Sequence, residues 1–364
     1  MPSESTLGQD ARAWIDVDLG ALVRNAKAVA RQTQVPLLPM VKADAYGLGA
    51  VAVARALEQV DPFAYGVATI TEGEELRAAG IVRPVLLFTP ARPTDLPRLR
   101  AARMTPSLAT AAGIETWAAE GGGAWHLAID TGMHRAGIRW DALDPILDAV
   151  RRHPPEGAFT HFHSSELDDG SLERQDERFR EAIACLPARP RLLHADNSAA
   201  IVRRAPSPWD LVRPGIFLYG VGSGVRAMLQ PESVVGLRAR ILEVRVVRSG
   251  EGVSYDATWR AERPSRIATV ACGYADGLRR QLGNTAVALV VGTRVPIAGV
   301  VTMDMTMLDI TDTTADVGDV VAFLGAQAGD ELTVEELARL GGCSPYELLT
   351  GLRQRLPRFY SGGG

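Results

Sequence analysis

Short apolar runs alternate with amphipathic stretches through the first two-thirds of this sequence, and that alternation limits the fold more than any other feature. Eight runs read as strands, at residues 37–42, 63–70, 82–88, 103–108, 125–130, 158–163, 191–194 and 209–213, the fourth with the weakest pattern. Helical patterns lie between them. Asp18 stands where it can cap a helix whose apolar stripe is Leu19, Leu22, Val23, Ala26, Val29 and Ala30. Residues 71–79 and 172–186 carry similar patterns. Eight strand–helix units over about 220 residues favour a closed (β/α)8 barrel, of the TIM type, over an open sheet. The barrel is expected over residues 13–235.

The texture changes near Gly236. Apolar runs at 238–247, 266–271, 286–291 and 320–324 follow one another without helices between them, separated by Gly and Pro turns. This predicts a mostly-β second domain over 236–364, with residues 1–12 packing against it. A late helix starts at Thr333, with Glu336 three residues on as the partner of a capping box. The length of 364 residues agrees with two domains.

Charge and cysteine content exclude several function classes. A net charge of −4 with no basic tract gives no electrostatic case for nucleic acid. No apolar run reaches the roughly 18 residues that a membrane span needs, and the polar start at residues 1–6 has no secretory pattern, so a cytoplasmic protein is expected. Cys185, Cys272 and Cys343 form no CxxC pair and no zinc spacing, so no metal centre is expected.

Of the 39 basic residues only Lys27 and Lys42 are lysines. Codon bias accounts for the arginine excess, yet a lysine kept in that background is a candidate for chemistry that arginine cannot perform, such as forming a Schiff base. Lys27 lies mid-helix at the border of an apolar stripe and reads as a snorkelling surface residue. Lys42 ends a predicted strand, at the barrel end where active sites sit. Two readings stand from position alone: a desolvated, nucleophilic amine, or a rim lysine paired to Asp44.

The surrounding motifs bear on that choice. Val41-Lys42-Ala-Asp-Ala-Tyr46-Gly47 is followed, in order, by Asp130-Thr-Gly-Met-His-Arg135, Thr160-His161-Phe162, His194-Ala-Asp-Asn197-Ser198-Ala and Val212-Arg213-Pro-Gly215-Ile216. Then come Val253-Ser-Tyr255-Asp-Ala-Thr-Trp, Gly273-Tyr274-Ala-Asp-Gly277, Met303-Asp304, Tyr346-Glu347 and Arg355-Leu-Pro-Arg358. With these motifs the chain resembles the alanine racemase family, fold-type III enzymes dependent on pyridoxal 5'-phosphate, over about residues 14–360.

The resemblance implies a role for each motif. Racemisation removes the α-proton on one face and returns it on the other, after the amino acid has been joined as an imine to an electron sink. Lys42 would serve one face and Tyr255 the other. A phenol ionises near pH 10 and is a poor base at neutrality, so a hydrogen-bond chain from Tyr255 through His161 to Arg213 is implied. Arg213 would meet the pyridine nitrogen, as a donor that does not give up its proton. Tyr46, Asn197, Ser198, Gly215, Ile216 and Tyr346 would hold the phosphate, near the strand-seven and strand-eight ends where barrels often bind one. Arg135 and the Met303 N–H would hold the substrate carboxylate, and Tyr274 would stand at the entrance. The family's tyrosine comes from a partner subunit, implying a head-to-tail homodimer with shared sites and a part in supplying D-alanine for cell-wall precursors.

Two positions depart from the pattern. Ala128 stands where many members carry a lysine whose carbamate orients the arginine, and Thr302 stands where some have cysteine. Serine or a broader range of side chains remains open as substrate, because a pocket separates methyl from hydroxymethyl by only about 1–3 kcal/mol. A decarboxylase on the same plan would need an acidic residue in place of Arg213. His163, Glu166, Glu347 and residues 167–169 read as surface.

Overall fold

The structure, a computed structural model, describes residues 11–224 and 227–363. Six parallel strands make the body of the first domain, in the order Tyr65–Val67, Val85–Leu87, Thr105–Leu108, His126–Asp130, Gly157–Phe159 and Leu192–His194. Single bridges complete the ring. Asn197 pairs with Arg213, Val212 with Leu37, and Met40 with Gly66. Backbone bonds from Leu38 N–H to Val212 and from Gly66 N–H to Pro39 reinforce them, at 2.8 and 2.9 Å. The first and eighth runs of the sequence therefore close the (β/α)8 barrel, although Pro36, Pro39 and Pro214 lack the N–H groups that a full ladder would use.

The helices follow their local signals. Asp18 accepts from Ala21 N–H at 2.8 Å and caps helix Leu19–Thr33. Thr69 and Glu72 form a complete capping box on Ile70–Ala78. Thr333 caps Val334–Leu340, but Glu336 makes no return bond to it. The Glu336 carboxylate goes to Arg294 instead, at 2.9 Å, so an ion pair replaces half of the predicted box. Ser344 and Glu347 make the complete box on Pro345–Thr350, giving Glu347 a local structural role on the surface.

The second domain is strand-rich. Its main sheet runs Thr293–Pro296, Val287–Val290, Val320–Gln327, Val235–Val247, Ala13–Asp18 and Arg358–Ser361. The far half of Val235–Val247 also pairs with Ser265–Val270, which pairs in turn with Thr306–Asp309. Ala13–Asp18, expected within the barrel, instead hydrogen-bonds inside this second sheet. Only its second half alternates, with Ile15 and Val17 buried and Asp16 and Asp18 more exposed, and it runs straight into a strongly patterned helix that masks it. Residues 1–10, expected to pack here, lie outside the described residues. One apolar core runs continuously through both domains, from Leu37, Val85 and Leu193 to Ile15, Val270 and Phe323.

Candidate active site

Lys42 sits where the bridge segment after Leu37 leaves the barrel wall. The next four residues, Ala43 to Tyr46, all take left-handed backbone angles with φ between 51 and 57°, and Gly47 follows at 85°. Such a conformation costs a non-glycine residue roughly 1–2 kcal/mol, so the surroundings must impose it. Ala43 N–H donates to Glu72 Oε1 at 2.8 Å, Gly49 N–H to Asp44 O at 2.9 Å, and Ala50 N–H to Asp44 Oδ1 at 2.7 Å. Asp44 is thus committed to the backbone, which removes the partner of a rim ion pair. Burial lowers the Lys42 pKa, and the charges of Arg135 and Arg213 lower it further against an opposing pull from Glu72. Of the two readings, these surroundings favour the desolvated amine over the rim ion pair.

Lys42 opens into a cavity of about 610 Å3 that Tyr46, Ala128, Arg135, His161, Asn197, Ser198, Arg213, Gly215, Ile216 and Tyr346 also line. Part of its wall is built from donors and small groups. Asn197 caps helix Ser198–Arg203 by accepting from Ala200 N–H, and it takes the Ser165 hydroxyl at 2.6 Å. Ser198 Oγ accepts from Gly215 N–H at 2.9 Å. A Cβ on Gly215 would come within 2.5 Å of the Tyr46 hydroxyl, so only glycine leaves that hydroxyl its place. Tyr46 stacks on buried Tyr219 with ring centres 4.6 Å apart, and burial raises its pKa, so the phenol stays a donor.

Arg213 also lines the cavity, fully buried without a carboxylate at contact distance. Its Nη1 donates to His194 O at 2.6 Å and faces His194 Nδ1 at 3.0 Å. Its Nη2 donates to Thr160 O at 2.7 Å and Ala195 O at 3.0 Å. Four of the five N–H groups are therefore used, and Nε–H is left without a protein acceptor on the cavity wall. Burial pushes the pKa down to about 10, so the group is still a cation at neutral pH.

No hydrogen bond joins His161 to Arg213, contrary to the implied chain, because carbonyls and His194 occupy the Nη donors. The link between them is electrostatic: burial and the charges of Arg213, Arg135 and Lys42 push the His161 pKa down to about 3, leaving a neutral ring. His163 is turned outward and contacts Ser164 Oγ, as its surface reading expects. Arg135 stands exposed at the cavity rim, and Ala128 leaves open wall beside it.

Tyr255, Tyr274 and Met303 are absent from this cavity and are exposed, at 68%, 40% and 53%. They nevertheless share one loop cluster of the second domain. Ser254 Oγ donates to Val300 O at 2.7 Å, Tyr274 N–H to Thr302 O and Ala275 N–H to Met303 O, both at 2.9 Å. Sequence reasoning assigned nothing to His126, Phe88, Phe159 or Tyr219 around Arg213 and Tyr46. The period of two along His126–Asp130 turns His126 to the same side as Ala128 and Asp130, and was the available signal.

A desolvated lysine, a wall of hydroxyl and backbone donors and an arginine N–H without a protein acceptor, all on one cavity, fit a flat, phosphorylated pyridine aldehyde. That defines a barrel enzyme of the pyridoxal-phosphate class. Two family profiles match the chain: alanine racemase N-terminal domain over residues 17–223 and alanine racemase C-terminal domain over 234–360. The alanine racemase of Sorangium cellulosum is 37% identical, over 95% of this chain and 98% of the relative. The alanine racemase structure from E. faecalis superposes with a TM-score of 0.91 at 30% identity, covering 96% of this chain and 98% of that one. That from Bartonella henselae, with covalently bound pyridoxal phosphate, gives 0.88 at 28% identity over 96% and 100%. The chain belongs to the alanine racemase family. No helix among the described residues is long and apolar enough to cross a membrane.

Proposed function

We propose that this protein interconverts L-alanine and D-alanine with pyridoxal 5'-phosphate, Lys42 and Tyr255 acting as acid–base groups on opposite sides of the substrate α-carbon. The observation that carries this reading is the lowered amine of Lys42 on a cavity that Arg213 also lines. Lys42 would hold the cofactor covalently. Tyr46, Asn197, Ser198, Gly215, Ile216 and Tyr346 would hold its phosphate, and Arg213 its ring nitrogen, with His161 beside it. When bound, the cofactor withdraws electrons from the α-carbon and acidifies the α-proton.

The protein groups do the rest. Desolvation lowers the pKa of the Lys42 amine, so it is freer to accept a proton than an ordinary lysine. Arg213 donates a hydrogen bond without surrendering its proton, which restrains electron withdrawal and side reactions. Arg135 at the rim, with the Met303 N–H, would orient the substrate carboxylate. Neutral His161 adds no further positive charge between Lys42 and Arg135.

Tyr255, Tyr274 and Met303 stand outside this chain's cavity, which supports a head-to-tail homodimer in which each copy completes the other's site. A cytoplasmic enzyme of this kind would supply D-alanine for cell-wall precursors. The test is a panel of common L-amino acids with purified protein and added cofactor. L-alanine should lose optical rotation to the racemic endpoint with no gas evolved. Faster turnover of serine or of larger side chains would move the assignment to a broader racemase, and carbon dioxide release would replace it with a decarboxylase.

A further inference from the structure

We infer that His194 and His126 form a proton-ordered pair behind Arg213, and that both are positioning residues which keep the Arg213 Nε–H turned to the cavity. The inference rests on the role of Arg213 proposed above. His194 and His126 are buried, their rings joined by a 2.8 Å contact from His194 Nε2 to His126 Nδ1. On its other side His194 Nδ1 faces Arg213 Nη1 at 3.0 Å. A guanidinium nitrogen can only donate, so His194 Nδ1 must be the acceptor and its proton must sit on Nε2. That proton is given to His126 Nδ1, so the His126 proton sits on its own Nε2. There it faces Glu156 Oε2 at 3.7 Å, an electrostatic distance rather than a hydrogen bond. Arg191 holds the other carboxylate oxygen at 2.5 Å.

The order therefore runs from Arg213 at the cavity toward the far end of the barrel. His126 opens its strand and Gly157 opens the neighbouring one, whereas Asp130 at the opposite end lines the cavity. The space is built for the ring: a Cβ on Gly157 would lie 2.6 Å from His126 Nδ1 and Cε1. Phe159 stacks on His194 at 5.1 Å and 16°, and Phe88 meets it edge-on at 6.2 Å, which prevents the ring from turning over. Burial lowers both histidine pKa values, so each ring carries one proton. With the His194 proton on Nδ1, two donors would oppose each other and the guanidinium would have to rotate, carrying Nε away from the cavity.

The test uses the protein loaded with pyridoxal phosphate. In a 15N imidazole spectrum, His126 and His194 should both show the Nε2–H tautomer; the chain has only six histidines, so single substitutions assign them. An Nδ1–H or doubly protonated His194 overturns the inference. His126→Leu should lower kcat by about 10- to 100-fold, the cost of leaving the buried His194 Nε2–H without an acceptor, with KM for L-alanine within about twofold, and should shift the cofactor absorbance band. His126→Asn, whose Oδ1 can accept where Nδ1 did, should restore most of kcat. Equal kinetics for the Leu and Asn variants, or an undiminished kcat in the former, also overturns it. Should the Leu variant fail to fold, the wild-type spectrum decides alone. Correct tautomers in a protein that does not racemise alanine would sink the functional reading only; racemisation with the wrong tautomers would sink this inference only.

Discussion

Lysine and tyrosine can share one reaction only because their surroundings differ. Lys42 is half-buried, with the charges of two guanidinium groups acting on it, which favours its neutral form. Tyr255 projects from an exposed turn in which Ser254, Asp256 and Ala257 all have positive φ. In the proposed function the Lys42 amine carries the cofactor link. Lys42→Ala should abolish the visible absorbance of the bound cofactor and reduce racemisation by about a thousandfold or more, within the range of a lost acid–base group. Tyr255→Phe should leave the absorbance in place. Deuterium exchange at Cα should then be blocked from one enantiomer far more than from the other, and equal loss from both would deny Tyr255 a one-sided role.

At the scale of elements, the left-handed turn after Lys42 is held by contacts from both domains. Arg358 donates to Gly47 O from Nη2 at 3.0 Å and from Nε at 3.2 Å. Helix Pro345–Thr350, which carries Tyr346, packs so closely that a Cβ on Gly47 would lie 2.6 Å from Leu349 O. Gly47 also sits at φ 85°. Gly47→Ala should therefore destabilise the protein by about 2–3 kcal/mol, through steric overlap and backbone strain together. Urea unfolding would measure this, and cofactor retention should weaken in parallel because Lys42 and Tyr346 are positioned by the same contact.

For the whole molecule the sharpest question is assembly. Lys42→Ala and Tyr255→Phe chains should each be inactive alone. In a shared-site dimer, a mixed pair has one intact site, and half of randomly re-paired dimers are mixed, so mixing should recover about a quarter of wild-type activity. No recovery after verified subunit exchange would place both residues in one chain's site. Buried histidines also set a global pH response. His126, His161 and His194 all have folded-state pKa values below the ordinary value. As pH falls below about 6.5, the unfolded chain takes up protons that the folded chain refuses, so each of these histidines lowers stability as the solution is acidified. For His161 the loss continues down to about 3. The urea midpoint should fall steadily from pH 7 to pH 5; a flat midpoint would mean that these rings titrate normally.

Much of this was written locally. Short apolar runs and period-3.6 patterns marked the barrel strands and helices, Asp18 and Thr333 marked caps, and the scarcity of lysine singled out Lys42, because each signal acts within a few residues of chain. Contacts between distant segments were not legible in that way. Ala13–Asp18 joined the second sheet because its partners lie more than two hundred residues on. Arg213 gave its Nη donors to His194, Thr160 and Ala195 rather than to His161, and Glu336 chose Arg294 over its own helix cap. A donor's choice among several acceptors turns on fractions of an ångström, and only the packed chain decides those distances.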